Sequence, residues 1–182
     1  MSNRLVRLAI ALVLAVPTAR AARAQEAAPD AKRLVAAMMP DSLVLLSMRF
    51  DFEDGVKRKE GSPAAVECIH RIPRSALTPV FENLASELMS PKDLAAGADF
   101  FEGPVGRKVT ALGLAYFLAA RGRGPAPRKS SITPKEERAF QAFARTSAGQ
   151  ALVVEQLFTS DAAEMVVTAR MYTLAVPCQM AK

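Results

Sequence analysis

Apolar positions along this chain recur mostly at intervals of three and four, and prolines mark where one periodic run gives way to the next. Asp30, Lys32, Leu34, Val35 and Met38 begin the series as a helical stretch. Pro40 is expected to end it, because proline cannot continue the hydrogen-bond ladder and pushes Met39 out of the right-handed α region. Asp41 or Ser42 can cap the next stretch. Leu43, Leu46 and Phe50 can share one helical face there, although a strand would also accept Val44, Leu46, Met48 and Phe50; helix is the reading adopted. From Asp51 to Pro63 the composition turns charged, with Lys57, Arg58, Lys59 and Glu60 in a row, which predicts a solvated loop or a frayed helix end. A helix around Ala64 to His70 would present Cys68 and close at Pro73. Thr78-Pro79 then supplies a capping hydroxyl and a proline at the first helical position, opening a helix to about Met89 with Val80, Phe81, Leu84 and Leu88 facing inward.

The next pattern is an internal one. Residues 90–114 and 133–157 align without a gap at an offset of 43, matching at Pro91/Pro134, Lys92/Lys135, Ala96/Ala139, Phe100/Phe143, Gly106/Gly149 and Leu114/Leu157. Ser90/Thr133 and Asp93/Glu136 are chemically equivalent. Self-similarity at such a period is the mark of stacked helical units, and the proline, phenylalanine and glycine matches carry the weight because each has positional meaning in a helix. Each unit is expected to start with a Ser or Thr cap, proline in the first turn and an acid that reaches back. It should turn at Gly103-Pro104 or Thr146-Ser147 and enter a second helix. Phe100 and Phe143 would be the apolar anchors where the two helices meet, and Gly106 and Gly149 would let them approach closely.

The second helix of the first unit, from Val105 to about Ala120, ends in the run Val109, Ala111, Leu112, Leu114, Ala115, Tyr116, Phe117 and Leu118, which predicts the most buried element of the fold. A membrane-seeking run is the competing reading, but it is too short and is preceded by Arg107 and Lys108. Gly122 stops it. A basic connector follows, with Arg121, Arg123, Arg128 and Lys129, which could be merely solvated or could touch lipid head groups or a polyanion. The last helix runs from about Asp161 through Met165, Val166, Ala169, Met171 and Leu174, and Pro177 should end it. The fold class expected is all-α, a compact bundle of antiparallel helices including two repeated helical hairpins at about 90–120 and 133–158, joined by the basic linker 121–132.

The N-terminus changes how charge is read. Arg4 and Arg7 precede nine apolar residues from Leu8 to Val16, and Ala22-Arg23-Ala24 offers small residues where a signal peptidase reads. Residues 1–24 are therefore read as a cleavable leader, cut between Ala24 and Gln25, and residues 25–182 as one helical domain in the periplasm or outside the cell. An uncleaved anchor or an ordinary core helix would be the alternative, but nine residues cannot span a bilayer, which needs about 20 in a helix. The leader holds four arginines and no acid, so its loss lowers the net charge from +6 to +2. That removes the case for a nucleic-acid partner.

Cys68 and Cys178 are the two cysteines. In an oxidising compartment such a pair is expected to form a disulfide; two free buried thiols, or a redox or metal role, are the alternatives. Cys68 with His70 makes only two metal ligands, and the chain has no second histidine. Any triad would have to use His70, which has no acid beside it in sequence. Asp51, Glu53 and Asp54 cluster, but in the stretch read as a solvated loop. Phosphate-binding and dinucleotide glycine motifs are missing, as is a zinc helix motif. No catalytic residue, cofactor or metal is assigned, and the chain is not expected to be an enzyme.

The stretch Phe100-Phe101-Glu102-Gly103-Pro104-Val105-Gly106-Arg107-Lys108, with its second copy Phe143 to Gln150, resembles the F-x-x-S-P-x-G-x-K segment of an exported bacterial family known only as a domain of unknown function. The resemblance covers about the C-terminal half. The first copy departs from it with Gly103 in place of serine, and the second has Ser147-Ala148 in place of the Ser-Pro step. It implies export and an all-helical fold, and it brings no activity. The expectation is an envelope protein that binds another envelope protein or an apolar ligand in a groove lined by Phe100, Phe101, Phe140 and Phe143. The alternative is a cell-wall hydrolase or an inhibitor of one.

Overall fold

The structure, a computed structural model, describes residues 28–128 and 131–180. The leader, its cut site and Lys129 lie outside the described residues. In chain order the helices are α1 (Pro29–Met38), α2 (Pro40–Lys57), α3 (Pro63–Arg71), α4 (Thr78–Leu88), α5 (Pro91–Glu102), α6 (Pro104–Ala120), α7 (Pro134–Ala144), α8 (Ser147–Gly149) and α9 (Asp161–Gln179). Short 3-10 turns occupy Arg74–Ala76 and Leu157–Thr159, and a π-helical turn, Gln150–Val154, continues α8. The described residues contain no strand, and the class is all-α.

Proline punctuates this architecture by starting helices: α1, α2, α3, α5, α6 and α7 each open on one. A first-turn N–H has no partner within the helix, so its absence costs nothing there. Between α1 and α2 the reversal falls on Met39, which takes the left-handed conformation with φ 55° and ψ 40°. Pro40 keeps Met39 out of the right-handed region, and the left-handed geometry lets the Met39 amide bond back to the Val35 carbonyl at 2.8 Å.

Two apolar clusters form the interior. One joins α1, α5, α7, α8 and the π-helical turn through Leu34, Leu94, Phe101, Phe143, Ala148 and Leu152; the other joins α2, α3, α4 and α9 through Leu45, Met48, Ile69, Phe81 and Val167. Helix α1 holds them together, because its neighbours Leu34 and Val35, both fully buried, enter different clusters. Burying side chains of this size stabilises by about 1.5–3 kcal/mol each. Gly97 lets α1 and the π-helical turn close on α5: a Cβ there would stand 2.8 Å from Leu152 Cδ1 and 3.2 Å from Leu34 Cδ1. On the surface Arg33 ties α1 to α5, donating to Glu102 at 2.5 Å, Asp99 at 2.7 Å and Asp30 at 2.8 Å. Glu102 first, then Asp99 and Asp30, hold that guanidinium firmly in its charged form.

Several expectations are corrected. Helix α2 runs through Asp51–Lys57 instead of ending in a loop, because Asp51, Glu53 and Asp54 pair with Arg121 and Arg123 from the connector. Its buried face is Asp41, Leu45 and Met48, while Leu43, Leu46 and Phe50 are only half-buried. Thr78 does not cap α4. Its hydroxyl goes to the fully buried Asp41 carboxylate at 2.5 Å, which also accepts from Arg74 Nε at 2.7 Å, so an ion pair and a hydroxyl together hold an acid that could not be buried alone. Leu88 is half exposed rather than inward. Pro177 lies inside α9, in its last turn, where little of the ladder remains to be broken, and the next residue is held by a disulfide.

The largest correction concerns α6. Helix α6 is not the most buried element: its buried residue is Gly106, and every apolar side chain from Val109 to Leu118 keeps contact with solvent. Its companion α6–α7 linker is likewise tied down rather than merely solvated, through Arg121 to Ser47 and Asp51, each at 2.7 Å, and Arg123 to Asp54 at 2.8 Å.

Candidate functional site

The residues singled out by the internal match come together. Ser90 and Thr133 each accept a hydrogen bond from the amide three residues on, at 3.2 and 3.3 Å, and Pro91 and Pro134 are the first helical residues behind them. Thr133 completes a full capping box, with its own amide donating to Glu136 at 2.8 Å. At the turns, Gly103 and Thr146 adopt nearly the same backbone, φ −72° and ψ 167° against φ −76° and ψ 162°. Three residues later Gly106 and Gly149 each sit so close to the carbonyl of Phe100 or Phe143 that a Cβ would overlap it. Phe100 and Phe143 stack on each other, with ring centroids 3.9 Å apart and planes 2° from parallel, and Phe101 meets both edge-on.

Polar links cross between the same two segments. Asp93, on the first turn of α5, accepts from Ser147 on α8. Glu136, on the first turn of α7, accepts from Lys108 of α6 at 2.7 Å. Lys108 first, then the Thr133 amide and hydroxyl, pull the Glu136 carboxyl from 4.5 down to about 2. Ser147 and then Ser90 hold Asp93 below its ordinary value.

The predicted groove of four phenylalanines is not what forms. Phe101 and Phe143 are buried, and Phe100 is packed between its neighbours. Two other grooves open instead, one along each flank of α6. Between α6 and α7, Val109, Leu112, Tyr116, Ile132 and Phe140 line about 480 Å³, with Arg128 and Glu137 at its polar edge. Between α6 and α1, Ala37, Met39, Phe101, Ala111 and Leu114 line about 470 Å³, edged by Arg33, Glu102 and Arg107. Sequence reading missed these linings because it assigned the α6 run to the core. The signal that could have found them is charge: from Gly103 to Lys135 the chain has seven basic residues and no acid, an unusual frame for a core helix.

The remaining candidates lie elsewhere. Cys68 and Cys178 are bonded across 110 residues, fixing the end of α9 to α3, and there is no free cysteine among the described residues. His70 does have an acid beside it, contrary to expectation: its Nε2 is 3.0 Å from Glu53 Oε1, because α2 continues far enough to bring Glu53 under α3. Glu53 also pairs with Arg123 at 3.0 Å, whose guanidinium lies 4.7 Å over the Phe50 ring. The dyad can hold and orient a proton, but it sits on an exposed face, with an arginine rather than a nucleophile as its third member. Among the described residues no cluster of three or more potential metal ligands occurs, and no helix is long and apolar enough to cross a membrane. No protein family, curated protein or solved structure matches the chain.

Proposed function

We propose that this chain is an exported, non-catalytic binding module of the cell envelope that seats an apolar ligand, or the apolar face of another envelope protein, along α6. One observation carries the reading: a helix with no charged residue from Val109 to Ala120 has no fully buried side chain there, exposes Ala111, Gly113, Tyr116 and Ala120, and is flanked by two grooves of nearly equal size. A helix apolar all round is normally enclosed, and contiguous exposed apolar surface marks binding sites. The leader pattern at residues 1–24 and the resemblance of Phe100 to Lys108 to an exported family support the address. A disulfide joining distant helices suits an oxidising compartment. The matched caps, turns and glycines from Ser90 to Gly106 and from Thr133 to Gly149 support a copied helix start and turn, while the second helix of the hairpin is long only in the first segment.

The test is titration of the chain beginning at Gln25, which contains every described residue, with a neutral solvatochromic dye. Saturable binding that Leu112→Glu removes is the expected result. A flat titration would remove the binding reading. The second reading, a cell-wall hydrolase or its inhibitor, draws on the His70–Glu53 contact. It predicts cell-wall solubilisation, or its inhibition, that His70→Ala abolishes, and fails if wild type and variant behave alike.

A further inference from the structure

The uncovered face of α6 has a charge signature that says what covers it. Seven bases and no acid lie between Gly103 and Lys135. Three of the seven are already paired, Lys108 with Glu136, Arg121 with Asp51, and Arg123 with Glu53 and Asp54. Arg107, Arg128 and Lys135 have no ion-pair partner among the described residues. Arg107 edges the groove on one flank of α6, where Glu102 is taken up by Arg33, and Arg128 edges the groove on the other together with Glu137. A cation without an ion-pair partner therefore stands on each side of an apolar crest.

Three occupants compete for this face. A second copy would set α6 against α6, and an antiparallel pair centred near Gly113 would bring Arg107 of each towards the basic C-terminal end of the other, with no acid in the segment to answer it. An acidic protein would satisfy the cations, but from Val109 to Ala120 the polar side chains are only Thr110 and Tyr116. A protein interface carries about one hydrogen bond per 100–200 Å² and anchors itself on such groups. A lipid bilayer needs none. It asks for an apolar surface to enter the acyl boundary, cations for the phosphates, and amphipathic rings such as Tyr116, 52% exposed, at the level between.

We propose that α6 docks flat on an anionic bilayer, with its solvent-facing positions, Ala111, Leu112 and Tyr116 among them, entering the acyl boundary and Arg107 and Arg128 on lipid phosphates. The 17 residues of α6 give an element about 25 Å long lying in the surface. This deepens the binding-module reading and rests on it.

Co-sedimentation of the chain beginning at Gln25 with phosphatidylcholine vesicles, with and without one third phosphatidylglycerol, tests it. Starting at Gln25 avoids the apolar run Leu8–Val16, which could enter lipid by itself. Binding to the anionic vesicles, weakened by salt and absent with the neutral ones, is expected. Arg107→Glu with Arg128→Glu should reduce it by about tenfold or more, since each base near such a surface contributes appreciably. Leu112→Glu should abolish it. Ala111→Glu, at an exposed position, should do the same and guards against a folding defect at Leu112. Equal binding to both vesicle types, or to neither, overturns the proposal. If the dye still binds and the vesicles do not, the binding surface stands and its lipid occupant falls; if both fail, both readings fall. Concentration-dependent dimerisation lost in Leu112→Glu, without vesicle binding, would overturn it in favour of a second copy.

Discussion

From Ser90 to Gly106 and from Thr133 to Gly149 the chain shares its hydroxyl caps, proline starts, turn backbone and glycine contacts, and beyond the glycines the two segments part. In the first, α6 continues straight to Ala120 on the outside of the fold. In the second, α8 yields after three residues to a π-helical turn, closed by Glu155 N to Gln150 O at 2.8 Å, and Gln156 then takes the left-handed conformation. Equivalent residues meet opposite fates. Leu152 and Leu157 are buried at 6% and 5% exposure, while their counterparts Val109 and Leu114 line open grooves. The shared part is set by contacts within a few residues: a hydroxyl cap, a proline, and a glycine against a carbonyl. The divergent part is set by what lies opposite, since Leu152 must enter the space that Gly97 leaves against α5, whereas α6 is only partly covered, with Phe117 on Phe50 and Ala111, Tyr116 and Ala120 left exposed. A π-helical turn widens the helix locally and re-aims its side chains, which suits that demand.

The comparison can be broken most severely at its glycines. Gly106→Ala and Gly149→Ala each place a Cβ into backbone that cannot retreat without undoing the turn, and each should cost about 4 kcal/mol or more in denaturant unfolding. Gly113→Ala is the control within α6: nothing lies within 4 Å of its added Cβ, and it should stabilise by about 0.5–1 kcal/mol. If all three glycines respond alike, the shared turn is not what holds these segments.

A smaller effect distinguishes the caps. Thr133→Ala removes a two-sided capping box and should cost about 1 kcal/mol. Ser90→Ala should cost less, because the shorter Asp93 side chain is engaged with Ser147 instead of returning to the Ser90 amide. Urea midpoints of the two variants measured side by side give the order, and a reversed order would contradict the geometry.

The mildest effect is on pH dependence, because both carboxylates involved are only half-buried and solvent screens their links. Glu136 titrates near 2 in the folded chain against an ordinary 4.5, and Asp93 is shifted in the same downward direction. A lowered folded-state value means the unfolded chain binds protons first as pH falls, so the contribution is complete above about pH 4.5 and is lost as pH drops towards 2. Stability measured across that window should fall less steeply in Glu136→Gln than in the parent chain. An unchanged slope would show that the Lys108–Glu136 link contributes nothing.

Much of the fold was legible in local chemistry. The starts at Pro91 and Pro134, the break at Met39-Pro40 and the helical class all follow from residues whose conformational preferences act over one turn. The pairing of Cys68 with Cys178 was read from compartment and number rather than from geometry. The candidate site was much less legible. Val109, Leu112 and Tyr116 were read as interior because apolar runs usually are, and Asp51 to Asp54 as loop because charged runs usually are. Both departures share a cause: periodicity reports which residues could be buried together, not whether a partner exists to bury them.

By itself, then, the amino-acid sequence determined where helices begin, where they turn, and the close glycine contacts that make the turns possible, since those are matters of sterics and hydrogen bonding between near neighbours. Only the tertiary structure decided which apolar helix went inside, which acids found the connector arginines, and that Glu53 would stand beside His70. Burial and ion pairing depend on surfaces brought together from distant parts of the chain, so two segments with the same local instructions ended on opposite sides of the protein's boundary with water.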